Sequence, residues 1–498
     1  MNTNYRFSLK KIEESFRASD HKSKTTKYVT LYKSIKRLII SGELPFNWLL
    51  PSTRVLSANL NISRTTVNKA YELLQLEKLI DSKIGSGFKV NFSPSSDNSD
   101  ALLPVIKDLG SYPQISEKGL AFTENISLVN KINDHHLAFR PGLPPLDVFP
   151  VNRWKNLLNN YWRYIKSSNL SYSSATGLEE LKKSVVNYLN VSRNIKCSHQ
   201  QIVIVSGSLQ SLYLVATALI NKGDTVVLEN PVFPNVHSVF KSSQAKIKTC
   251  SMDSEGIAIS NLKLNRSTPK VIHVTPSNQY PLGIKMSLER RLELLVWASN
   301  KKAVIIENDY ENEIANNQMS LPSIFSLDKE DRTIYMGTFN RLLHPSIRLG
   351  YMIVPRYLVK TIKALQEHSH RFVPPSIQVV MNQFIEKNYL YQHIKSSIDV
   401  AKERYEIFKS EFEKVSTKMR LEDHNGTSFH VIAKFNEDFS TRLEESKTIK
   451  RLEERGITAH SLSKCYINAP KTYGLVFGYA AVRPRKLIQK IQSMKGKL

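Results

Sequence analysis

From about residue 136 onward, short β-branched runs alternate with stretches of helical period, and that alternation limits the folds open to this chain. The runs are Ile202–Val205, Thr225–Leu228, Val271–Val274, Ala303–Ile306 and Thr333–Met336. Strands of four apolar residues leave no polar face for solvent, so each must be covered on both sides. Helices between such strands supply the cover, which predicts an α/β domain with a mostly parallel sheet.

At 498 residues the chain is too long for one core, and two or three domains are expected. The densest apolar run, Leu212–Ile220, is well short of the ~18 residues that a membrane span needs. The amino terminus is polar and carries acids, unlike a secretory signal. Three scattered cysteines, Cys197, Cys250 and Cys465, supply neither a disulfide framework nor a metal cluster and read as inert thiols. His273, His344 and His430 lack metal-ligand spacing and read as packing residues. A cytoplasmic protein is the expectation, with no metal and no membrane partner.

The net charge of +26 points to a polyanionic partner. Residues 1–90 carry 16 Lys and Arg against 7 Asp and Glu, more than twice the positive charge density of the remainder. Within them, 25–90 read as a compact DNA reader. Leu31, Ile35, Leu38 and Ile39 give a first amphipathic helix closed by Ser41-Gly42. Ser52 caps a second helix whose Val55, Leu56 and Leu60 face inward. Ser63 caps a third, with Val67, Ala70, Tyr71 and Leu74 on its inner stripe. That stripe leaves Arg64, Thr65, Thr66, Asn68 and Lys69 outside, the residue types that bond phosphates and base edges. Leu79–Lys83 and Phe88–Val90 flank Gly85-Ser86-Gly87, a hairpin that would form a wing. The whole stretch resembles the winged helix-turn-helix of GntR-type bacterial regulators. The resemblance makes Arg54, Arg64, Thr65, Thr66 and Lys69 the candidates for double-stranded DNA contact and puts Gly87 at the wing tip. Residues 91–115, rich in Ser, Asp and Pro, read as a linker.

The body, 116–498, carries a series of short islands: Gly142-Leu143-Pro144-Pro145, Tyr172–Gly177, Ser206-Gly207-Ser208-Leu209-Gln210, Glu229–Pro234, Thr275–Gly283, Glu307-Asn308-Asp309-Tyr310 and Gly337–Tyr351. In this order they resemble the fold-type I aminotransferases, and the whole chain is similar to the MocR-type subfamily of GntR regulators. The resemblance implies pyridoxal 5'-phosphate, with Ser208, Phe233, Asn308, Tyr310, Thr338, Arg341 and Arg348 at its cofactor-binding positions. The departures from the pattern bear on chemistry. Arg341 stands where the family has its Schiff-base lysine, and a guanidinium with a pKa above ~12 stays charged and is not a nucleophile. Asn308 stands where a carboxylate would hold the pyridine nitrogen protonated, and Asn340 and Leu209 replace a serine and a glutamine. No catalytic residue is assigned on this reading.

Arg341 has two readings: a buried positive charge satisfied by Asp309 or Glu307, or a fork that clamps a carboxylate or phosphate ligand. Three functions follow. The leading one is a sequence-specific DNA-binding transcription regulator whose body forms a homodimer and senses a small anionic effector. The second is a working aminotransferase, or a pyridoxal-phosphate sensor, that uses another lysine, Lys285 or Lys270. The third is a body that only sets the spacing of two readers.

Overall fold

A computed structural model describes residues 3–20, 25–83, 87–92, 113–128, 138–262, 264, 267–315, 321–422, 428–470 and 472–496. The chain divides into two compact units, Met1–Gln114 and Ile115–Leu498. Most of the expected linker, 93–112, lies outside the described residues, as do 84–86 of the expected wing.

The first unit is a four-helix module with a hairpin: α1 (Thr3–Asp20), α2 (Lys27–Ile40), α3 (Thr53–Leu60), α4 (Arg64–Leu76), β1 (Ile80–Lys83) and β2 (Gly87–Val90). The capping expected from sequence is present, since Ser52 Oγ accepts from the Val55 N–H at 3.3 Å and Ser63 Oγ from the Thr66 N–H at 3.2 Å. Asn61, at the end of α3, takes the left-handed conformation (φ 51°) that turns the chain into α4. Leu31, Ile35, Leu38 and Ile39 are buried with Val67, Ala70, Tyr71 and Leu74, whereas Val55 is only half-buried. The Tyr71 hydroxyl donates to the Pro51 carbonyl at 2.8 Å, which ties α4 to the start of α3. The sequence reading assigned no element to Thr3–Asp20. The helix there sends Ile12 and Phe16 into the same core.

The second unit is built on an eight-stranded sheet of β3 (Ile202–Val205), β4 (Thr225–Asn230), β5 (Lys246–Asp253), β6 (Gly256–Ile257), β7 (Pro269–Val274), β8 (Val304–Asn308), β9 (Thr333–Thr338) and β10 (Gly350–Ile353). Its order is β3-β10-β9-β8-β7-β4-β5-β6. β9, β8, β7, β4 and β5 run parallel, while β10 is antiparallel to both its neighbours and β6 to β5. Alternate residues serve opposite faces: Ile202, Ile204, Tyr335 and Tyr351 join one core, and Val203, Val205, Met336 and Met352 the other. All five expected strands are present.

A second, antiparallel sheet follows, in the order β11 (Met419–Leu421), β12 (His430–Phe435), β14 (Gly474–Gly478), β13 (His460–Ser461). Phe408 and Phe412 from the helix Tyr389–Val415, with Leu487 and Ile491 from Pro484–Gln492, pack against it. Phe139 enters this core from far upstream, and its carbonyl accepts from the Gly478 N–H at 2.7 Å. The stretch around Phe139 is therefore held against the carboxy-terminal sheet.

Candidate functional site

The exposed face of α4 carries Arg64, Thr65, Asn68 and Lys69, while Val67, Ala70, Tyr71 and Leu74 point inward. Thr66 is half-buried and its hydroxyl shares a 2.8 Å hydrogen bond with that of Ser63, so part of its bonding capacity serves the cap. Arg64 Nε donates to Thr53 Oγ1 at 3.4 Å, which brings the first turns of α3 and α4 together. Arg54 is exposed on α3, and Lys69 Nζ lies 5.7 Å from the centre of the Tyr28 ring. Gly87 pairs with Lys83 as the first residue of β2, with φ +76°. It lies at the foot of the turn and not at its tip, because the strand register closes one residue earlier than the sequence suggested.

The candidate ligand residues of the second unit gather where parallel strands end. Asn308 ends β8, Thr338 ends β9, and Ser208 opens the helix Ser208–Leu219 that follows β3. Around the Ser206-Gly207 turn, Arg348 Nη2 donates to Ser206 Oγ at 3.3 Å, and Asn340 Nδ2 donates to the Ser206 carbonyl at 3.2 Å. Asn340 also accepts from the Leu349 N–H at 2.8 Å, and its own N–H donates to Thr338 Oγ1 at 3.2 Å. The asparagine thus ties three loops together. A Cβ on Gly207 would lie 2.6 Å from its amide nitrogen, and Gly207 has φ +138°, so only glycine fits. Leu209, expected in the phosphate loop, is 39% exposed; it is Gln210 that fastens the loop, accepting from both the N–H and the hydroxyl of Ser206 at 2.6 and 2.8 Å.

Of the two readings of Arg341, a charge satisfied by Asp309 or Glu307 does not hold. Arg341 Nη2 pairs with Glu311, which is 1% exposed. Glu311 Oε2 also accepts from Asn278 Nδ2 at 2.6 Å and from Ser428 Oγ at 2.9 Å. The two acids expected to hold Arg341 are occupied elsewhere. Glu307 accepts the N–H groups of Ile324 and Phe325 at 2.9 and 2.8 Å, and Asp309 pairs with the buried Arg193 at 2.8 Å and accepts from Tyr335 at 2.9 Å. Burial works against the charge of Arg341, yet Glu311, with Tyr310 and Tyr280 close by, holds its guanidinium above the ordinary value. The guanidinium carbon sits 5.2 Å from the centre of the Tyr310 ring. A Cβ on Gly142 (φ +89°) would lie 1.9 Å from Arg341 Nη1, so the backbone at Gly142 passes against the arginine where no side chain fits.

Several polar atoms here lack a partner among the described residues: the Tyr310 hydroxyl, Asn308 Oδ1, Asn278 Oδ1 and Arg341 Nε. Unmet buried polar groups cost about 1–3 kcal/mol each, so each of these atoms would be stabilised by a hydrogen-bonding partner. The Asn308 amide nitrogen lies 3.3 Å from Nε2 of His273, whose ring burial holds it neutral, with a pKa pushed down to about 3. Phe233 meets Tyr280 edge-on at 5.0 Å between ring centres, and Tyr280 meets His430 at 5.1 Å. His430 hydrogen-bonds Ser428 Oγ at 2.6 Å and the Pro281 carbonyl at 3.1 Å, a packing role, and no group of His, Cys, Asp or Glu among the described residues could hold a metal. Cys250 and Cys465 are buried and Cys197 half-buried, none in a disulfide.

Of the two alternative lysines, Lys270 lies at the opposite end of the sheet, near the start of β7, and pairs with Asp224 at 2.8 Å. Lys285 is half-buried, and burial together with Arg291 and Arg193 pushes its ammonium below the usual lysine range. Glu311 and Ser428 are not singled out by the sequence, and Gly142 and Asn278 stand in its family-like islands without an assigned role. A buried arginine demands a counter-charge, but among Glu307, Asp309, Glu311 and Glu313 sequence alone could not choose it.

Residues 143–492 match the family described as aminotransferase class I and II, and residues 27–90 match the bacterial regulatory proteins of the gntR family. The probable rhizopine catabolism regulatory protein MocR of Rhizobium meliloti is 29% identical, covering 93% of this chain and 92% of that protein. The pyridoxine biosynthesis transcriptional regulator PdxR of Corynebacterium glutamicum is 26% identical over 68% of each. Among solved structures, the kynurenine aminotransferase of Pyrococcus horikoshii superposes with a TM-score of 0.66 at 22% identity, over 79% of this chain and 96% of that one. A winged helix-turn-helix joined to a body of aminotransferase fold defines a DNA-binding transcription regulator. The chain belongs to the MocR-type branch of the GntR regulators, its body to the class I and II aminotransferase family. No described helix is long and apolar enough to cross a membrane.

Proposed function

We propose that this regulator reads a specific operator through Arg64, Thr65, Lys69 and Arg54, and that its body is a non-catalytic sensor of a small phosphate-bearing anion. The observation that carries the second half is the buried pair of Arg341 with Glu311. A charged guanidinium with its counter-ion in place cannot become an imine nitrogen or shuttle a proton at working pH. The residues therefore fit a phosphate ester held without a covalent bond and do not fit pyridoxal phosphate bound as an imine. Arg348, Ser208 and Thr338 stand ready for the phosphate. The unpartnered Tyr310 hydroxyl and Asn308 oxygen stand ready for polar groups on a ring. With a neutral amide at Asn308, no carboxylate at that position holds a pyridine nitrogen protonated, so an electron sink is missing as well as a nucleophile.

The body also supports a homodimer. Trp162, Tyr164, Leu170 and Tyr172 are each more than half exposed within eleven residues, an apolar concentration that isolated surfaces rarely carry. Paired readers match the two-fold logic of operator half-sites, and cytoplasmic action at the chromosome follows. An effector shifts DNA binding only through unequal affinity for the two reader arrangements.

The test has two parts. Selection from a randomised duplex library yields an operator, on which Arg64→Ala loses about 1–3 kcal/mol if it reads a base edge; no loss would show that α4 is not the reader. Pyridoxal phosphate with borohydride leaves the protein's mass unchanged, whereas a reduced adduct at Lys285 or any other lysine would favour the enzyme reading.

A further inference from the structure

Helix α1 lies outside the 27–90 span that matches the gntR family, yet it is built into the reader. Ile12 and Phe16 are buried in its core, Phe7 meets Trp48 edge-on at 5.5 Å, Arg37 Nη2 donates to Ser15 Oγ at 2.9 Å, and Lys11 pairs with Glu43 at 2.8 Å. These contacts fix which end of α1 faces which part of the module. The Tyr5 hydroxyl accepts from the Ser52 N–H at 3.4 Å, so the amino-terminal end of α1 lies at the start of α3. The first turn of α4 meets the same place, through Arg64 and Thr53. In helix-turn-helix readers the first helix of the motif crosses the DNA backbone while the second enters the groove. The beginning of α1 therefore adjoins the elements that face the duplex.

The charge of α1 is polarised along its axis. Arg6 and Lys10 are exposed, stand one turn apart on the same helical face, and have no ion-pair partner among the described residues. The acids lie further along: Glu13 is spent on Arg17 at 2.6 Å, and Glu14 and Asp20 follow. The positive end is thus the end next to the DNA-reading helices. We propose that the amino-terminal half of α1 extends the DNA interface, with Arg6 and Lys10 holding backbone phosphates that flank the base pairs read by α4. The proposal rests on the amino-terminal unit being a DNA reader, and what it adds is the contact length and its cause. Such contacts position the module and strengthen binding to every sequence alike, because phosphates carry no sequence information.

Salt dependence separates this from a generic effect of charge. The full chain is titrated by fluorescence anisotropy against a random-sequence 40-base-pair duplex across a range of salt concentrations. Neutralising two phosphate contacts flattens the slope of log K against log[salt] by about 1.8, at ~0.9 per contact. Arg6→Gln with Lys10→Gln is expected to show that change, and Arg6→Lys with Lys10→Arg to restore the parent slope. Lys360→Gln with Lys363→Gln, exposed positions of the second unit, removes the same charge and is expected to leave the slope alone. A slope unchanged in the first double variant, shared equally by the Lys360/Lys363 pair, or not restored by the charge-conserving pair, overturns the inference. A parent protein that ignores the duplex at low salt overturns the DNA reading itself, a separate and recognisable failure.

Discussion

Arg341 shows how a buried charge is held in place by its counter-charge. With Glu311 fully buried beneath it, the two charges are compensated where they sit. Removing one partner leaves the other uncompensated, so Arg341→Ala is expected to cost about 3–5 kcal/mol, the range for a broken buried pair. Arg341→Met with Glu311→Leu recovers a large part of that loss, since two apolar side chains carry no stranded charge. Urea denaturation of the two variants checks the order, and equal losses would show that packing, not charge, is what the pair supplies. That an arginine stands at 341 was legible in the sequence, since residue type is displayed directly. Its partner was not, because Glu307, Asp309, Glu311 and Glu313 are neighbours in the chain and their directions depend on how the loop leaves β8.

Among the elements, those with strong periodicity were legible and those stabilised by neighbours were not. The helices of the first unit and the strands β3, β4, β7, β8 and β9 announced themselves by 3.6-residue and continuous apolar patterns. The edge-proximal β5 did not, because its alternate residues are only half-buried. Nor did β10, a four-residue strand that begins with the glycine next to Gly337 and Gly207. Helix α1 escaped for a related reason: its buried face includes Ser8 and Ser15 beside Ile12 and Phe16, so the apolar stripe is interrupted. Phe16→Ala tests whether that helix is a structural part of the reader. It is expected to cost about 3–5 kcal/mol of the first unit's stability, as large core deletions do, read by hydrogen exchange within residues 27–90. No change in their protection would mean that α1 merely rests on the module.

At the scale of the molecule, burial of acids beneath the sheet's carboxyl end links stability to pH. Glu229 is fully buried, and its carboxyl is pushed up from 4.5 to about 7 by that burial, against hydrogen bonds from Thr275 and Gln279. A raised carboxyl pKa means that the folded state keeps its proton where the unfolded chain has lost it. The contribution is therefore fully present below pH 4.5 and is lost as the pH rises through about 7. The stability of the parent relative to Glu229→Gln should fall across that window by on the order of 3 kcal/mol, measurable by denaturant titration at several pH values. A difference that does not vary with pH would mean that Glu229 is ionised throughout. The sequence by itself determined the two-part plan, the apolar stripe of α4 with its polar outer face, and the arginine at 341. Those are properties of local period and of residue type, which a linear chain displays directly. Only the tertiary structure decided that Glu311 answers Arg341, that Asn340 and Gln210 fasten the loop at Ser206, and that α1 belongs to the reader. Each of these depends on which distant segments meet in three dimensions, and buried charges and apolar faces choose among several suitors only once the chain has closed around them.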